Sequence, residues 1–164
     1  MLVVSRLEAE KNVGLAIRAF ADQAPKSACL IIVGDGSERT KLERLVQELG
    51  FSGRIFFEGG EDPKKYYKLA SMFLSTSLYE GYGMTVIEAL ASGIPVLSTD
   101  VGIAREAGAI IASQEKFAYA LREWFKNGPR VGSLKNYPYV NFREYVEAYC
   151  ADIASCTEPK KGHT

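Results

Sequence analysis

Short apolar runs alternate along the chain with stretches of helical periodicity, and this alternation restricts the possible folds more than any other feature. Apolar runs predict strands at residues 2–5, 29–34, 54–59, 72–77, 94–99 and 109–112. Amphipathic patterns predict helices at residues 13–23, 37–50, 62–70, 83–92, 114–128 and 142–156. Strands that alternate with helices form parallel sheets with right-handed crossovers. The predicted fold class is therefore α/β, a Rossmann-like parallel sheet of about six strands with helices on both faces.

The composition excludes several classes of function. The 164 residues carry 20 basic and 20 acidic side chains, so no nucleic-acid partner is expected. No apolar run approaches the roughly 18 residues of a membrane span, and we expect no signal peptide. The 3 cysteines lack metal-ligand spacing, which favours a reducing cytoplasm, and Cys29 is predicted to be buried. The single histidine, His163, lies in a polar tail, which argues against a histidine base.

The same patterns predict how the chain is organised. We predict one domain over residues 1–164, with the sheet and its helices in residues 1–127. Residues 128–141 are rich in Gly, Pro and Asn and form a predicted linker to the helix at 142–156, which precedes a polar tail at 157–164. Ser37 is the predicted cap of the second helix. Asp62 is that of the third, with Pro63 at its first position.

Ligands of open parallel sheets bind at the carboxyl ends of the strands. The first such loop contains Arg6 and Lys11, in the stretch "SRLEAEK". Arg binds phosphate as a bidentate fork and Lys binds it as a point charge, so the two cations together suit a diphosphate. Two other interpretations are a pair of solvated surface charges or an ion pair between Lys11 and Glu8.

The next two loops carry weaker signals. Gly34 begins a G-x-G pattern in "VGDGSERTKL", but Arg39 stands where a dinucleotide fingerprint has its third glycine. The pattern predicts either a tight turn or a close approach of a ligand to the backbone. Glu58 begins "EGGEDP", whose backbone groups could face a nucleotide base or could simply form a turn.

The fourth loop gives the strongest signal, in "YEGYGMTVIEALAS". Gly81 and Gly83 permit a tight loop, and a helix that begins near Met84 leaves amides free to bind a phosphate. Glu88 has no cation four residues away on this apolar helix, so we expect a buried carboxylate that lacks an intrahelical partner. It could pair with a cation such as Arg6. A ligand hydroxyl explains it better, and Glu80 would face the same cleft.

The residues of this fourth loop resemble a known family. "YEGYGMTVIEALASGIPVLSTD" is similar to the E-x7-E segment of retaining glycosyltransferases of the GT-B architecture, the group-one family. "SRLEAEKNVGLAIRAFA", "LIIVGDGSERTKLERLVQELGFSGRIFFEG" and "NFREYVEAYCADI" resemble the family's other segments in the same order. The resemblance covers nearly the whole chain and implies one Rossmann-like half of a GT-B fold.

The resemblance implies a role for each matching residue. Arg6 and Lys11 would neutralise the diphosphate of a UDP-, GDP- or ADP-sugar donor, and Glu80, beside the transferred sugar, completes the implied catalytic set. Glu88 would bind the ribose hydroxyls. The implied donor-binding residues also include Gly81, Tyr82, Gly83, Met84, Thr85, Gly34 and Glu58. No metal and no other cofactor is expected.

Two departures from the family pattern and one missing part limit these implications. Ser5 replaces the usual glycine before Arg6, and the stretch around Glu106 is shorter than in the family, which puts a donor contact by Glu106 in doubt. A GT-B enzyme also has an N-terminal acceptor domain, without which this chain is expected to transfer little. The complete enzyme could contact a membrane peripherally.

Two other classes of function stay open from the sequence. The first is a non-catalytic nucleotide-binding or regulatory module in which the acids are structural. A receiver-type module would have paired acids after the first strand, and "VSRLEAEK" has a cation there instead. The second, the related nucleotide-sugar epimerases, needs further catalytic acids and histidines.

Overall fold

The computed structural model describes residues 1–135 and five further residues at 144, 146, 147, 150 and 151. These five further residues are helical and exposed. The strands are β1 (Leu2–Val4), β2 (Leu30–Val33), β3 (Ile55–Gly59), β4 (Phe73–Ser75), β5 (Val96–Ser98) and β6 (Ile110–Ile111). The helices are α1 (Val13–Gln23), α2 (Arg39–Glu48), α3 (Lys64–Tyr67), α4 (Met84–Ala91), α5 (Ala104–Ala107) and α6 (Phe117–Asn127). Short 3-10 turns precede α1 at Ala9–Lys11 and α6 at Gln114–Lys116.

All strand pairs are parallel, and the sheet order is β3-β2-β1-β4-β5-β6. In β1, Leu2 lies between Ile31 of β2 and Phe73 of β4. The direction in which the chain winds reverses between β1 and β4, so these neighbouring strands form the topological switch point. Loops that leave such neighbours diverge to opposite faces and open a crevice above the sheet. The predicted fold class is confirmed.

The core lies in two layers, one on each face of the sheet. One cluster combines α1, α2 and α6 with the sheet and includes Ile17, Phe20, Leu42, Phe117 and Leu121. The other combines α3, α4 and α5 with the opposite face and includes Tyr67, Phe73, Val86, Leu90 and Ala104. Fully burying an aliphatic or aromatic side chain contributes about 1.5–3 kcal/mol, so each layer holds its helices firmly.

After α6 the chain crosses from one face to the other. The indole N–H of Trp124 donates to the carbonyl of Pro129 at 2.8 Å. The amide of Gly132 then donates to Gly93 at 2.8 Å, and that of Lys135 to Ala107 at 2.8 Å. Residues 128–135, the described part of the predicted linker, therefore pack against the loop after α4 and the end of α5. The predicted tail at 157–164 lies outside the described residues.

Several local predictions differ from the structure. Ser37 does not cap α2, because its hydroxyl donates instead to Glu8, which lies 29 residues earlier in the chain. Cys29 is exposed rather than buried, because it precedes β2 instead of beginning it. Helix α5 was not predicted, because four residues are too few to show helical periodicity. Asp62 does accept the amide of Lys64 at 3.1 Å, as a cap should.

Candidate functional site

The candidate site lies at the switch point, above the carboxyl ends of β1 and β4. A narrow cleft there is lined by Ser5, Lys11, Ser77, Glu80 and Thr85, among others. These residues come from the loop after β1, from the loop that connects β4 to α4, and, for Thr85, from the first turn of α4. Two of the four loops selected from the sequence, those of Lys11 and Glu80, therefore meet in one place.

Lys11 and Glu80 form an ion pair at the centre of this cleft. The Lys11 ammonium lies 2.7 Å from Oε1 of Glu80, and the two side chains are only 15% and 18% exposed. The hydroxyl of Ser77 donates to the same Oε1 at 2.8 Å. Because both bonds end on Oε1, the other carboxylate oxygen keeps its acceptor sites for a ligand hydroxyl.

Backbone contacts fix the two loops against each other. Thr76 donates from its hydroxyl to the carbonyl of Lys11 at 3.2 Å, and the amide of Leu78 donates to Glu10 at 2.7 Å. Thr99, after β5, donates to the carbonyl of Ser77 at 2.6 Å. The Lys11–Glu80 pair is therefore held by strand ends rather than by side chains alone.

Helix α4 begins beside this pair. Gly83 has φ +99°, a left-handed conformation that glycine adopts without strain, and within the described chain no side chain caps the helix. The first amides of an uncapped helix attract anions, so those of Met84 and Thr85 suit a phosphate. The loop after β5 supports this turn, since the amide of Ile103 donates to the carbonyl of Tyr82 at 2.9 Å.

Arg6 follows Ser5 in the chain but is not among the residues that line the cleft. Its side chain is 73% exposed and makes an ion pair with Glu10 at 3.1 Å, four residues along the chain. Such an exposed pair is weak, so Arg6 can leave Glu10 for a ligand phosphate at little cost. The suggested pairing of Arg6 with Glu88 is not observed.

The environment of Glu88 differs from the predicted one. It lies on the exposed side of α4, whose buried residues are Val86, Ile87, Ala89 and Leu90, so the expected burial of its carboxylate is wrong. Its partner is the hydroxyl of Tyr67 on α3, which donates to Oε2 at 2.8 Å. Burial, reinforced by the neighbouring carboxylate, raises the pKa of the Tyr67 hydroxyl, which stays protonated as a donor.

Gly34 and Glu58 lie on the other side of β1. Gly34 has φ +137°, and a Cβ atom there would lie 1.8 Å from the carbonyl oxygen of Ser5, so the close approach of two strand ends requires glycine. Its amide is already used, because it donates to Gly59 at 2.6 Å. Glu58 is exposed and accepts a hydrogen bond from Tyr66 at 3.0 Å. Burial raises the pKa of the Tyr66 hydroxyl, and Glu58 adds to the effect.

Sequence reasoning missed the contact of Glu8 with Ser37 and the contact of Tyr67 with Glu88. The Glu8 carboxylate accepts both the amide and the hydroxyl of Ser37, and these bonds lower the pKa of Glu8. It thereby connects the loops after β1 and β2. No local pattern signals either contact, since each joins residues at least 21 positions apart. Glu106 is exposed on α5.

A larger groove lies elsewhere, between α1 and α2, with a volume of about 690 Å³. Its charged side chains balance, with Arg18, Lys41 and Arg44 facing acids of equal number in Glu8, Glu38 and Glu48. The groove is also formed by the sides of helices, whereas the switch-point cleft combines Lys11 with the uncapped start of α4. We therefore place the candidate site at the cleft. Among residues 1–135 no cluster of three or more acidic, Cys or His side chains could hold a metal.

These features define a Rossmann-like domain with a candidate anion site at its switch point. The chain belongs to the family described as glycosyl transferases group 1, whose model matches residues 1–139. It is 38% identical over 100 residues to an uncharacterised glycosyltransferase of Methanocaldococcus jannaschii, a match that covers 59% of this chain and 25% of that protein. The chain spans about a quarter of the length of the curated relatives it matches.

Solved structures have the same fold. HepE of Anabaena in complex with UDP aligns with a TM-score of 0.75 at 19% identity, over 94% of this chain and 48% of that chain. The pneumococcal O-GlcNAc transferase GtfA, in complex with UDP and GlcNAc, aligns with a TM-score of 0.71 at 21% identity, over 94% of this chain and 32% of that chain. Both alignments support a GT-B half-fold. No helix in the described part of the chain is long and apolar enough to cross a membrane.

Proposed function

We propose that this chain is the donor-binding domain of a retaining glycosyltransferase, which transfers a sugar from a nucleotide-sugar to a glycan, lipid or small-molecule acceptor. The observation that carries the proposal is the position of the Lys11–Glu80 pair, 2.7 Å apart, at the switch point beside the uncapped start of α4. A cation, a carboxylate and oriented amides in one cleft match a diphosphate joined to a polyhydroxylated ring.

In this proposal the diphosphate lies between the cations and the helix. Lys11 and Arg6 face it from the loop after β1, and the amides of Met84 and Thr85 face it from α4. When the bond from the anomeric carbon to the phosphate oxygen breaks, its electron pair stays on the diphosphate. The acceptor hydroxyl oxygen then forms the new bond to that carbon, and its proton passes to the leaving diphosphate. Cations and dipoles fixed in advance stabilise the charge that grows on the leaving diphosphate.

The carboxylates hold the two ends of the donor. Glu80, beside the sugar, accepts bonds from its hydroxyls through the oxygen that Lys11 and Ser77 do not use. Glu88, on the exposed side of α4, accepts bonds from the ribose. The donor base lies toward Gly34 and Glu58, and the acceptor binds to a second domain that closes over the cleft. Binding needs no metal, since the protein cations take its place.

The proposal is tested by calorimetric titration of the chain with UDP, GDP and ADP. We expect binding of at least one nucleoside diphosphate, about tenfold weaker in Glu88→Ala and in Arg6→Ala, and unaffected by a metal chelator. Arg122→Ala and Glu123→Ala are matched controls on the exposed side of α6 and should bind as the wild type does. Absence of binding by the wild type, or equal binding by all variants, would overturn the proposal.

A further inference from the structure

Two neighbouring tyrosines on α3 each donate to a glutamate on another element. Tyr66 donates to Glu58 on β3 at 3.0 Å, and Tyr67 donates to Glu88 on α4 at 2.8 Å. Both rings are buried, with 8% and 5% of their surface exposed. The two hydroxyls therefore leave the core at fixed points and reach carboxylates that are themselves exposed.

The Tyr67 ring is rigidly placed. It packs beside Phe73 of β4, with 6.0 Å between ring centroids, inside the core layer that also holds the buried side of α4. A tyrosine has two side-chain torsions, and both are fixed here by packing. Its hydroxyl is therefore an anchored donor, aimed across the gap between α3 and α4.

Glu88 lacks such support of its own. It is exposed on α4, and a free glutamate side chain samples several rotamers whose loss opposes binding. The bond from Tyr67 ends on Oε2 and restricts those rotamers before any ligand arrives. A carboxylate has about four acceptor sites, so one bond from tyrosine leaves room for two hydroxyls on adjacent carbons.

We infer that Tyr67 is a positioning residue of the nucleotide site, which holds the Glu88 carboxylate in the orientation that accepts the ribose hydroxyls. This inference rests on the proposed function. It assigns to α3, a four-residue helix outside the cleft, a part in donor affinity. Tyr67 itself does not touch the donor.

A purely structural role would give the same contact, because a buried tyrosine hydroxyl needs an acceptor. The two roles differ in which ligands are affected. If Tyr67 acts through Glu88 on the ribose, its loss weakens only ligands that carry ribose hydroxyls. If it merely stabilises the packing of α3 on α4, its loss affects every nucleotide equally.

The experiment compares Tyr67→Phe with the wild type in calorimetric titrations. The ligands are whichever of UDP, GDP and ADP binds best and its 2′,3′-dideoxy form. We expect Tyr67→Phe to weaken binding of the ribose nucleotide by about five- to tenfold and to leave binding of the dideoxy form unchanged. In a Glu88→Gln background, Tyr67→Phe should have no further effect.

Two controls accompany this test. Tyr66→Phe removes the neighbouring hydrogen bond to Glu58 and should leave the ratio of the affinities for the ribose and dideoxy nucleotides unchanged. Tyr119→Phe removes the hydroxyl of an exposed tyrosine on α6 and should also leave this ratio unchanged. Equal weakening of both ligands by Tyr67→Phe, or no weakening of either, overturns the inference while nucleotide binding by the wild type upholds the proposed function. No binding by the wild type overturns both.

Discussion

At the centre of the cleft a cation and an anion already satisfy each other. The Lys11 ammonium and the Glu80 carboxylate are less than one fifth exposed, so both have lost much of their hydration. A donor diphosphate must then share Lys11 with Glu80 rather than capture a free cation. The pair holds both side chains in place before the donor binds, which is a form of preorganisation.

The energetic coupling of this pair can be measured by a double-mutant cycle. We expect Lys11→Met and Glu80→Gln to be coupled by about 1–2 kcal/mol in the free energy of unfolding, because a partly buried charged hydrogen bond is lost. Urea denaturation of the two single variants and the double variant gives the value.

The exposed pair Lys65–Glu61, at 2.8 Å and with side chains 58% and 53% exposed, is the matched control. Its coupling should stay below about 0.5 kcal/mol, as is usual for surface pairs. Similar coupling in the two cycles would show that partial burial does not strengthen the site pair.

The sequence identifies the candidate site residues more reliably than it predicts the burial and the partners of their side chains. Glu80 and Lys11 were selected because they follow strands, and the topology brings them together. Glu88 was selected for the wrong reason, since an apolar helix suggested burial while the structure exposes it and gives it Tyr67 as a partner. Which face of α4 is exposed depends on how α3 packs, and no local pattern contains that information.

At the level of elements, the loop after β1 is tied to the loop after β2. Glu8 accepts the amide of Ser37 at 3.1 Å and also its hydroxyl, while the amide of Leu7 donates to Asp35 at 2.8 Å. The strand-to-helix turn that carries Lys11 is thus supported from the neighbouring turn. Because Ser37 makes these contacts with Glu8, it does not cap helix α2 as the sequence predicts.

This connection predicts a pH dependence of stability. The bonds from Ser37 lower the pKa of Glu8 in the folded state, so the unfolded chain binds its proton more readily. The contribution of Glu8 is therefore complete above the ordinary glutamate pKa of about 4.3 and disappears as the pH falls through the folded pKa. We expect the stability difference between wild type and Glu8→Gln to shrink from about pH 7 to about pH 3 in urea denaturation.

The variant Ser37→Ala is the complementary control, because it removes the hydroxyl donor and leaves the acid in place. It should lose part of the same pH-dependent difference. A difference between wild type and Glu8→Gln that stays constant over this pH range would mean that Glu8 does not contribute through ionisation.

The strands and the longer helices were largely predictable, because each strand is an apolar run and each longer helix has apolar residues along one side. Helix α5 was not, since its four residues give too short a pattern to distinguish a helix from a turn. At the end of β2, by contrast, the sequence motif did not decide between two roles for its glycine. The sequence predicted either a tight turn at Gly34 or a close approach of a ligand. The φ of +137° and the 1.8 Å that would separate a Cβ atom from the Ser5 carbonyl oxygen show that the backbone itself requires glycine there.

For the whole molecule, the order β3-β2-β1-β4-β5-β6 decides where the chemistry can lie. Alternation of strands and helices predicts a parallel sheet but not the order of its strands, and only the order puts β1 beside β4. The loops after β1 and β4, 69 residues apart at Lys11 and Glu80, become one site for that reason.

A nucleotide site at the switch point predicts which parts of the whole chain are protected from hydrogen exchange. Exchange is measured with and without the nucleotide that binds best. Bound nucleotide should slow exchange in residues 5–12 and 76–85, the two segments that contribute Lys11 and Glu80 to the cleft. A ligand that binds only the folded state suppresses local opening around itself. The amides of Met84 and Thr85 should show the largest change, since they face the phosphate directly. Helix α6 and the parts of α1 and α2 that line the larger groove, residues 13–18 and 41–48, are internal controls and should exchange at their original rates. Protection confined to that groove would move the nucleotide site to the sides of the helices and contradict its assignment to the switch point.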